Sequence, residues 1–333
     1  MSSVQTTVLT INPAAEAERI TGELRHNVRH VFKRHGVVVG VSGGVDSATV
    51  LALCASAFGP QRVSALLLPD KDSSPDSARL AQLTADRFGV TTTTIDLTAG
   101  LEAFGCYRRR DEAIQSVVPN YDPATCKVKI VLPGDLLERD TLNVFSVVVI
   151  HPDGHETRKV LPPAAYLRIV AASNMKQRSR MMALYTEAES LNYAVVGTAN
   201  KNEHDQGFFV KHGDAGVDIQ AIGHLYKSQV YQLAEYLDVP DEIRRRPPTS
   251  DTYSAECTQE EFFFRLPFTV MDQLWHAHEA GTPIAEVAAS MHLDEAAVLR
   301  AFRDFERKRQ TTAYLRMEPV FLSPAPSQAD ARP

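Results

Sequence analysis

The chain has 333 residues, of which 44% are hydrophobic and 23% are charged, a composition that excludes a disordered or fibrous protein and allows a sizeable core. Its 35 lysines and arginines against 41 aspartates and glutamates give a net charge of −6, so we expect no nucleic-acid partner. The sequence contains no run of about 18 apolar residues, so we expect no membrane span and no membrane partner.

The cysteines and the N-terminus favour a cytoplasmic protein. The four cysteines are widely spaced and form no CxxC pair or zinc-type spacing, which is typical of reduced thiols and not of a disulfide framework. The N-terminal MSSVQTTVLT lacks the basic region and the apolar run of a signal peptide. We therefore expect the chain to be cytoplasmic.

Helical and strand patterns alternate over the first hundred residues. Ile20, Leu24 and Val28 recur at helical spacing, whereas the run VVVGV is typical of a buried parallel strand. The pattern predicts, in chain order, a helix over 14–35, a strand over 37–41, the turn SGGVDS (42–47) with a helix up to Gly59, a strand over 62–69, a helix over about 76–88 and a strand over 90–97. Strands that alternate with helices predict an α/β fold with a parallel sheet flanked by helices.

This alternation is interrupted at about 105–165. The stretch contains two or three β-type runs and the turn signal PDG, which predict an antiparallel β excursion inserted into the α/β core. Helical character then returns and is followed by a buried strand, YAVVGT (193–198). We expect one domain over 1–268 that includes the insert, a helical C-terminal extension of it over 269–316, and a flexible tail over 317–333.

The six residues SGGVDS, directly after a predicted strand, carry the strongest chemical signal. Two adjacent glycines let the backbone turn tightly at the start of a helix, where N–H groups and the helix dipole favour an anion. The hydroxyls of Ser42 and Ser47 add donors, and the carboxylate of Asp46 is suited to holding Mg²⁺ against phosphate oxygens. Neither GxxxxGK[ST] nor GxGxxG is present, which excludes a kinase-like P-loop and a dinucleotide fingerprint. The alternative is an ordinary Gly-Gly turn of an α/β protein.

The turn resembles the pyrophosphate loop of the N-type ATP pyrophosphatases, which cleave ATP between its α- and β-phosphates to adenylate an oxygen of the substrate. Four later segments resemble those of NAD synthetases, one group within that superfamily, in the same order and at similar spacing: NMKQRSRMMALY (174–185), GTANKNEHDQGFFVKHGDAGVD (197–218), IGHLYKSQV (222–230) and RRPPTSD (245–251). The resemblance extends over about residues 15–275, apart from the predicted insert.

The resemblance implies an adenine-nucleotide-hydrolase-type, Rossmann-like fold, a homodimer, and the use of ATP and Mg²⁺. It implies an enzyme that adenylates the carboxylate of nicotinic acid adenine dinucleotide and then lets ammonia displace AMP, forming the amide. The residues that match the family's ATP site are Ser42, Gly43, Gly44, Val45, Asp46, Ser47, Thr198, Lys211, Lys227 and Thr249. Those that match its substrate side are Asn174, Arg178, Tyr185 and Asp218. The matching catalytic residues are Asp46, Glu203, Lys227 and Asp218, and the matching metal ligands are Asp46 and Glu203.

The chemistry requires these residue types. Joining a carboxylate to an ATP phosphate requires that several negative charges be screened, which calls for Mg²⁺ and cations. Asp46 and Glu203 are two carboxylates suited to sharing one Mg²⁺, and Lys227 supplies a cation. Lys211 lies in a glycine-bounded loop (207–216) whose closure would keep water away from an acyl-adenylate.

Several of these positions have structural alternatives. Glu203 and Lys227 would otherwise be solvated surface charges on helices. Thr249 is also suited to capping a helix or stabilising a turn, and Tyr185 to packing in the core. Asp218 matches a carboxylate near the family's reaction centre, where it would hold ammonium or accept a proton so that ammonia arrives deprotonated.

Two features depart from the family pattern. The insert is longer than the usual connection, and we predict that it forms a β-rich subdomain near the substrate mouth or the subunit interface. The stretch TQEEFFFRLPF (258–268) stands where the family has TDExELG, with Gln259 at the position of an acidic residue. Phe262–Phe264 replace the region of a substrate-facing glutamate, either as core packing or as part of a reshaped apolar pocket.

Three hypotheses follow. The first is an ammonia-dependent NAD synthetase. The second is a paralogous ATP-dependent amide ligase that acts on a different carboxylate in a specialised biosynthetic pathway. The third is a nucleotide-binding or structural protein without activity, against which Asp46, Glu203 and Lys227 argue. No nitrilase-type glutaminase segment precedes SGGVDS, so we expect the nitrogen to come from free ammonia or from a separate glutaminase.

Overall fold

The computed structural model describes residues 9–250 and 252–322, in which eight strands form two separate sheets. The strands are β1 (Val37–Gly40), β2 (Val63–Leu67), β3 (Thr92–Thr94), β4 (Lys127–Val131), β5 (Ser146–Ile150), β6 (Glu156–Val160), β7 (Ala194–Gly197) and β8 (Ile219–Gln220). The larger sheet has the order β3-β2-β1-β7-β8, and its pairings are parallel. The predicted α/β class with a parallel sheet is therefore confirmed.

The strand order creates a crevice between the ends of β1 and β7. From β1 the chain adds β2 and β3 on one side of the sheet, and β7 and β8 on the other. Val37 pairs with both Val63 and Ala194, so the three central strands are in register. Connections that leave the carboxyl ends of neighbouring strands in opposite directions open a crevice, which is where such sheets bind ligands. The SGGVDS turn and the GTANK segment (197–201) both begin at this crevice.

Helices cover both faces of the larger sheet. Those in the described residues are α1 (Pro13–His26), α2 (Val45–Phe58), α3 (Pro75–Phe88), α4 (Thr98–Ala103), α5 (Cys106–Gln115), α6 (Pro163–Leu191), α7 (Lys201–Gln206), α8 (Lys227–Tyr236), α9 (Asp241–Arg245), α10 (Phe268–Glu279), α11 (Ile284–Met291) and α12 (Glu295–Thr311). Val37 and Val39 pack in a core with α1, α2 and α8, whereas Val38 packs on the opposite side with α5 and α6. All three valines are fully buried, as expected of a central parallel strand.

Two predicted elements are shorter than expected. The helix predicted over 14–35 ends as an α-helix at His26 and continues as a π-turn over Asn27–Val31. The strand predicted over 90–97 is reduced to β3, because its partner β2 ends at Leu67 and Asp96 Oδ1 then accepts the N–H of Thr98 (2.7 Å) in a turn.

The predicted insert contains the expected antiparallel sheet, with β5 between β4 and β6. Residues 106–115, at the start of the predicted insert and before its β-type runs, form α5 and pack against α6. Tyr107, Arg110 and Ile114 are buried on one face at helical spacing.

The C-terminal helices form a second core, as their predicted helical character suggests. Trp275, Phe264 and Phe305 are fully buried between α10, α12 and the aromatic run before α10. Helices α11 and α12 contribute Val287 and Val298 to the same core. The domain limits at 268 and 316 stay predictions, and most of the predicted flexible tail lies outside the described residues.

None of the helices in the described ranges combines the length and the hydropathy that a membrane crossing requires.

Candidate active site

The turn after β1 has the structure of an anion-binding site. Gly44 is the N-cap of α2, so the free N–H groups of the first helical turn lie here. The Ser47 Oγ atom accepts from the N–H of Ser42 (3.2 Å) and donates to the Gly44 carbonyl oxygen (3.0 Å). These bonds fix the shape of the turn before a ligand arrives. The dipole of the 14-residue helix favours a negatively charged group at this end.

The two glycines of the turn differ in what they require of the backbone. Gly43 has a φ of +80°, and a Cβ atom added there would lie 2.4 Å from the Ser77 carbonyl oxygen. Gly44 has a φ of −92°, and its added Cβ would meet the Ser42 Oγ atom at an ordinary 3.5 Å. Only Gly43 therefore depends on being a glycine.

We expect Gly43→Ala to lower the free energy of unfolding by about 1–3 kcal/mol, because a side chain is strained in this conformation and clashes with Ser77. It should also weaken nucleotide binding, since the turn must move. Gly44→Ala is the matched control and should cost about 1 kcal/mol or less. Urea unfolding and nucleotide titration measure both effects, and equal losses in the two variants would contradict the distinction.

Asp46 and Glu203 are brought together by helices α2 and α7. Asp46 lies in the first turn of α2, and Glu203 is the third residue of α7, whose N-cap is Asn200. The side-chain amide of Asn200 donates to Asp46 Oδ1 (3.2 Å), and its backbone N–H donates to Glu203 Oε2 (3.0 Å). Burial and the negative charge of Asp46 raise the pKa of Glu203 well above its usual range. The two carboxylates therefore interact electrostatically.

Lys227 supplies the positive charge of this cluster. It is the first residue of α8, its side chain is only 1% exposed, and its ammonium donates to Asp46 Oδ2. Burial lowers the pKa of Lys227, but the charges of Asp46 and Glu203 outweigh burial, so the net effect raises it. Lys227 is therefore protonated at neutral pH. The rings of Phe268 and Tyr231 lie 5.4 and 6.0 Å from its ammonium.

The donor atoms of the cluster suit a hard divalent cation. Mg²⁺ in nucleotide enzymes is commonly held by one or two carboxylates together with substrate phosphates. Within the described residues no three His, Cys, Asp or Glu side chains converge, so Asp46 and Glu203 would need phosphate oxygens to complete a coordination shell. Gln259 Nε2 donates to Glu203 Oε1 (3.1 Å), while Gln259 Oε1 is buried without a hydrogen-bond partner in the described residues. That oxygen is therefore available as a further metal ligand beside Glu203.

A cavity of about 540 Å³ lies at the crevice, a volume suited to a small-molecule ligand. It is lined by most of the predicted site residues, which come from six separate parts of the chain: Ser42, Gly44, Val45, Asp46, Ser47, Asn174, Arg178, Thr198, Glu203, Lys211, Lys227 and Thr249. Gly43 lies behind the turn, against α3. The fold thus brings together residues that the sequence spreads over more than two hundred positions.

Lys211 is held by the C-terminal segment. Its ammonium donates to the carbonyl oxygens of Tyr314 (3.1 Å) and Met317 (2.6 Å) and lies 4.5 Å from the centre of the Tyr314 ring. In this conformation it binds backbone oxygens and not the Asp46 cluster. Its predicted contact with ATP stays a prediction and requires the ammonium to leave these carbonyls.

Asp218 and Tyr185 lie apart from the main cavity. The Tyr185 hydroxyl donates to Asp218 Oδ1 (3.0 Å), and Asp218 Oδ2 accepts the N–H of Val195 (2.8 Å). Burial and the neighbouring carboxylate raise the pKa of Tyr185. Asp218 lines a smaller cavity beside α1 instead. The structure does not bring this pair to the Asp46 cluster, and its parts in catalysis and substrate binding stay predictions.

Aromatic residues form one wall of the main cavity. Phe264 is fully buried in the C-terminal core, whereas Phe262 and Phe263 line the cavity. The aromatic run therefore contributes both to core packing and to an apolar cavity wall, the two alternatives that the sequence left open. Phe145, directly before β5, stacks on Tyr166 of α6 at 4.7 Å, and both residues also line the cavity. The insert therefore reaches the cavity, whereas its predicted place near the substrate mouth or the subunit interface stays a prediction.

Among the residues that sequence reasoning missed are Arg180 and Asp214 of the cavity and Asn200, which links the two carboxylates. Arg180 and Asp214 line the cavity, and burial raises the pKa of Asp214 to about 6. Asn200 and Glu203 have the N-x-x-E spacing of a capping box, which would have placed Asn200 at the start of a helix. No sequence signal could have shown its bond to Asp46, which lies 154 positions away.

The parallel sheet, the glycine turn at the start of α2 and the cluster of Asp46, Glu203 and Lys227 define an α/β protein whose cavity is suited to an anionic ligand. The family model for NAD synthase matches residues 16–123 and 146–318. The chain is 48% identical over 316 residues to the NH3-dependent NAD+ synthetase of Rhizobium meliloti (strain 1021), covering 95% of this chain and 94% of that protein. It is 38% identical to the enzyme of that name from Thermotoga maritima over 73% of this chain and 80% of that protein. The chain therefore belongs to the NAD synthase family.

Solved structures share the fold. NH3-dependent NAD synthetase from Campylobacter jejuni in complex with nitrate has a TM-score of 0.61 at 23% identity, covering 94% of this chain and all of that one. NMN synthetase from Francisella tularensis has a TM-score of 0.59 at 22% identity, covering 95% and 99%. The family model does not match residues 124–145, which contain β4 and the loop that follows it. This unmatched stretch is shorter than the predicted insert.

Proposed function

We propose that this chain is an ammonia-dependent NAD synthetase. One observation carries the proposal: in a member of this family, two carboxylates and a buried lysine meet an anion-binding turn inside a ligand-sized cavity. No comparison favours the alternative, a paralogue that amidates a different carboxylate.

The reaction has two steps. A carboxylate oxygen of nicotinic acid adenine dinucleotide attacks the α-phosphorus of ATP, and pyrophosphate leaves. The nitrogen of ammonia then attacks the acyl carbon, AMP leaves, and one proton is released. The turn over Ser42–Ser47 is placed to hold the departing pyrophosphate through backbone N–H groups and hydroxyls.

Asp46 and Glu203 would hold Mg²⁺, which supplies charge stabilisation for the phosphate oxygens when bound. Lys227 keeps its proton and stands beside Asp46, where it is placed to bind a phosphate oxygen as charge develops on the leaving group. Thr198 and Thr249 line the same cavity as further donors.

Water must be kept from the acyl-adenylate until ammonia attacks. Lys211 and its loop would close over ATP, and the aromatic wall with Phe145 and Phe262 already makes one side of the cavity apolar. The homodimer, the cytoplasmic location and a separate glutaminase stay predictions.

The test uses the purified full chain with ATP, Mg²⁺, ammonium and nicotinic acid adenine dinucleotide. We expect NAD, AMP and pyrophosphate to form in equal amounts, with little product when glutamine replaces ammonium. Nicotinic acid mononucleotide is the matched control substrate. ATP binding without NAD formation, or faster turnover of another carboxylate, would overturn the proposal.

A further inference from the structure

Asn200 is the one residue that contacts both carboxylates of the cluster through hydrogen bonds in the described part of the chain. It is fully buried. Its Nδ2 donates to Asp46 Oδ1 (3.2 Å), its backbone N–H donates to Glu203 Oε2 (3.0 Å), and its Oδ1 accepts the N–H of Glu203 (3.1 Å). These three bonds join the first turn of α2 to the first turn of α7.

The orientation of the Asn200 amide follows from its partners. A backbone N–H can only donate, so the atom facing Glu203 N must be the amide oxygen. The amide nitrogen then faces Asp46, which is a carboxylate and can only accept. Reversing the amide would set an oxygen against a carboxylate oxygen and a nitrogen against an N–H. The amide therefore has one stable orientation.

Asp46 is consequently held at both of its oxygens. Lys227 binds Oδ2 and Asn200 binds Oδ1, which fixes the rotation of the carboxylate. Glu203 is likewise held, at Oε2 by the backbone of Asn200 and at Oε1 by Gln259. Two neighbouring carboxylates repel each other, so they stay close only if other groups hold them. Asn200 is the group that fixes the position of one relative to the other.

We propose that Asn200 is a positioning residue that presents Asp46 and Glu203 as a pair to a divalent cation. The inference rests on the proposed function, because it takes these carboxylates to be the cation ligands. Partners that orient metal ligands without touching the metal typically change metal affinity by about 10–100-fold when they are replaced. Asn200 should act in the same way, through affinity for the cation and not through chemistry of its own.

The alternative is that Asn200 serves only as the cap of α7. Replacement by serine separates these roles, because a serine oxygen still accepts the N–H of Glu203 but is too short to donate to Asp46. Asn200→Thr is a second variant with the same logic and more of the original volume. Asn202→Ser is the matched control: Asn202 is equally buried in the same helix but binds Asp272.

The probe is Mn²⁺, titrated by electron paramagnetic resonance in the presence of a non-hydrolysable ATP analogue. We expect the Mn²⁺ dissociation constant to rise about 10-fold in Asn200→Ser and Asn200→Thr. In Asn202→Ser it should stay unchanged while the melting temperature falls. In kinetics, the Asn200 variants should need more Mg²⁺ and recover most of their kcat at saturating Mg²⁺.

Wild-type Mn²⁺ affinity in a folded Asn200 variant would overturn the inference, as would equal weakening in Asn202→Ser. If the wild type forms NAD and the Asn200 variants bind Mn²⁺ normally, this inference fails and the proposed function stands. If Mn²⁺ binding depends on Asn200 as expected but the wild type forms no NAD, only the proposed function fails.

Discussion

Asp46→Asn is expected to lower the rate of NAD formation by about 10³-fold or more, because it removes a carboxylate from the site where charge on the phosphates must be stabilised. The substitution preserves the size of the side chain and its position in α2. Steady-state rates with saturating ATP, ammonium and nicotinic acid adenine dinucleotide measure the effect. A rate close to that of the wild type would refute the assignment of Asp46.

Asparagine is preferable to alanine at this position. Both substitutions remove the charge that pairs with Lys227, but asparagine keeps the volume of the side chain and an oxygen that can accept from the buried ammonium, whereas alanine leaves that ammonium without this acceptor and so confuses activity with folding. Asp76→Asn is the matched control, because Asp76 also lies in the first turn of a helix but is 70% exposed and forms its ion pair with Arg79 near the surface. That variant should retain both activity and stability.

Lys176→Met should lower the free energy of unfolding by about 3–5 kcal/mol, the largest loss of stability that we expect from a single substitution. The Lys176 ammonium lies 2.9 Å from Asp70 Oδ1 and 2.7 Å from Asp72 Oδ2, and it also donates to the Thr252 carbonyl oxygen (2.8 Å). Its side chain is 2% exposed. Methionine fills the space but leaves two buried carboxylates without this cation.

Urea unfolding measures this loss, and Lys129→Met is the control. Lys129 pairs with Glu261 at 3.3 Å near the surface, so its removal should cost less than about 1 kcal/mol. Similar losses in the two variants would contradict the prediction. Lys176 binds Asp70 and Asp72, and the segment that carries them continues into Ser73 and Ser77 of the cavity wall. The KM for ATP should therefore rise in Lys176→Met and stay unchanged in Lys129→Met.

The ion pairs of Asp70 with Lys176 and Arg180 also predict how stability changes in acid. Burial raises the pKa of Asp70, but the charges of Lys176 and Arg180 outweigh it, so the pKa is lowered on folding. A carboxylate whose pKa falls on folding contributes stability above its unfolded pKa, near 3.8, and loses it as the pH drops further. Part of the stability of the wild type should therefore disappear below about pH 4, and this part should be smaller in Lys176→Met, which keeps only Arg180 of the two cations beside Asp70.

Local patterns in the sequence were sufficient for the α/β class and for the glycine turn that begins α2. The run VVVGV is apolar throughout because both faces of β1 are covered, and the turn after it combines two glycines with two serines. These signals are short-range, since burial of a strand and the conformation of a turn both depend on neighbouring residues. The sequence patterns predicted no helix at α5, whose buried face packs against α6 in the structure.

The tertiary structure alone decided which of the candidate residues meet. The sequence by itself determined the residue types of the site: the glycine that permits a φ of +80°, the acids suited to a cation, and the lysine suited to phosphate. It did not determine that Asp46 would be held by Asn200, that Lys211 would bind the C-terminal segment, or that Asp218 would lie outside the main cavity. The physical reason is that side-chain type and backbone conformation depend on residues nearby in the chain, whereas contacts across the crevice depend on strand order and helix packing over the whole molecule.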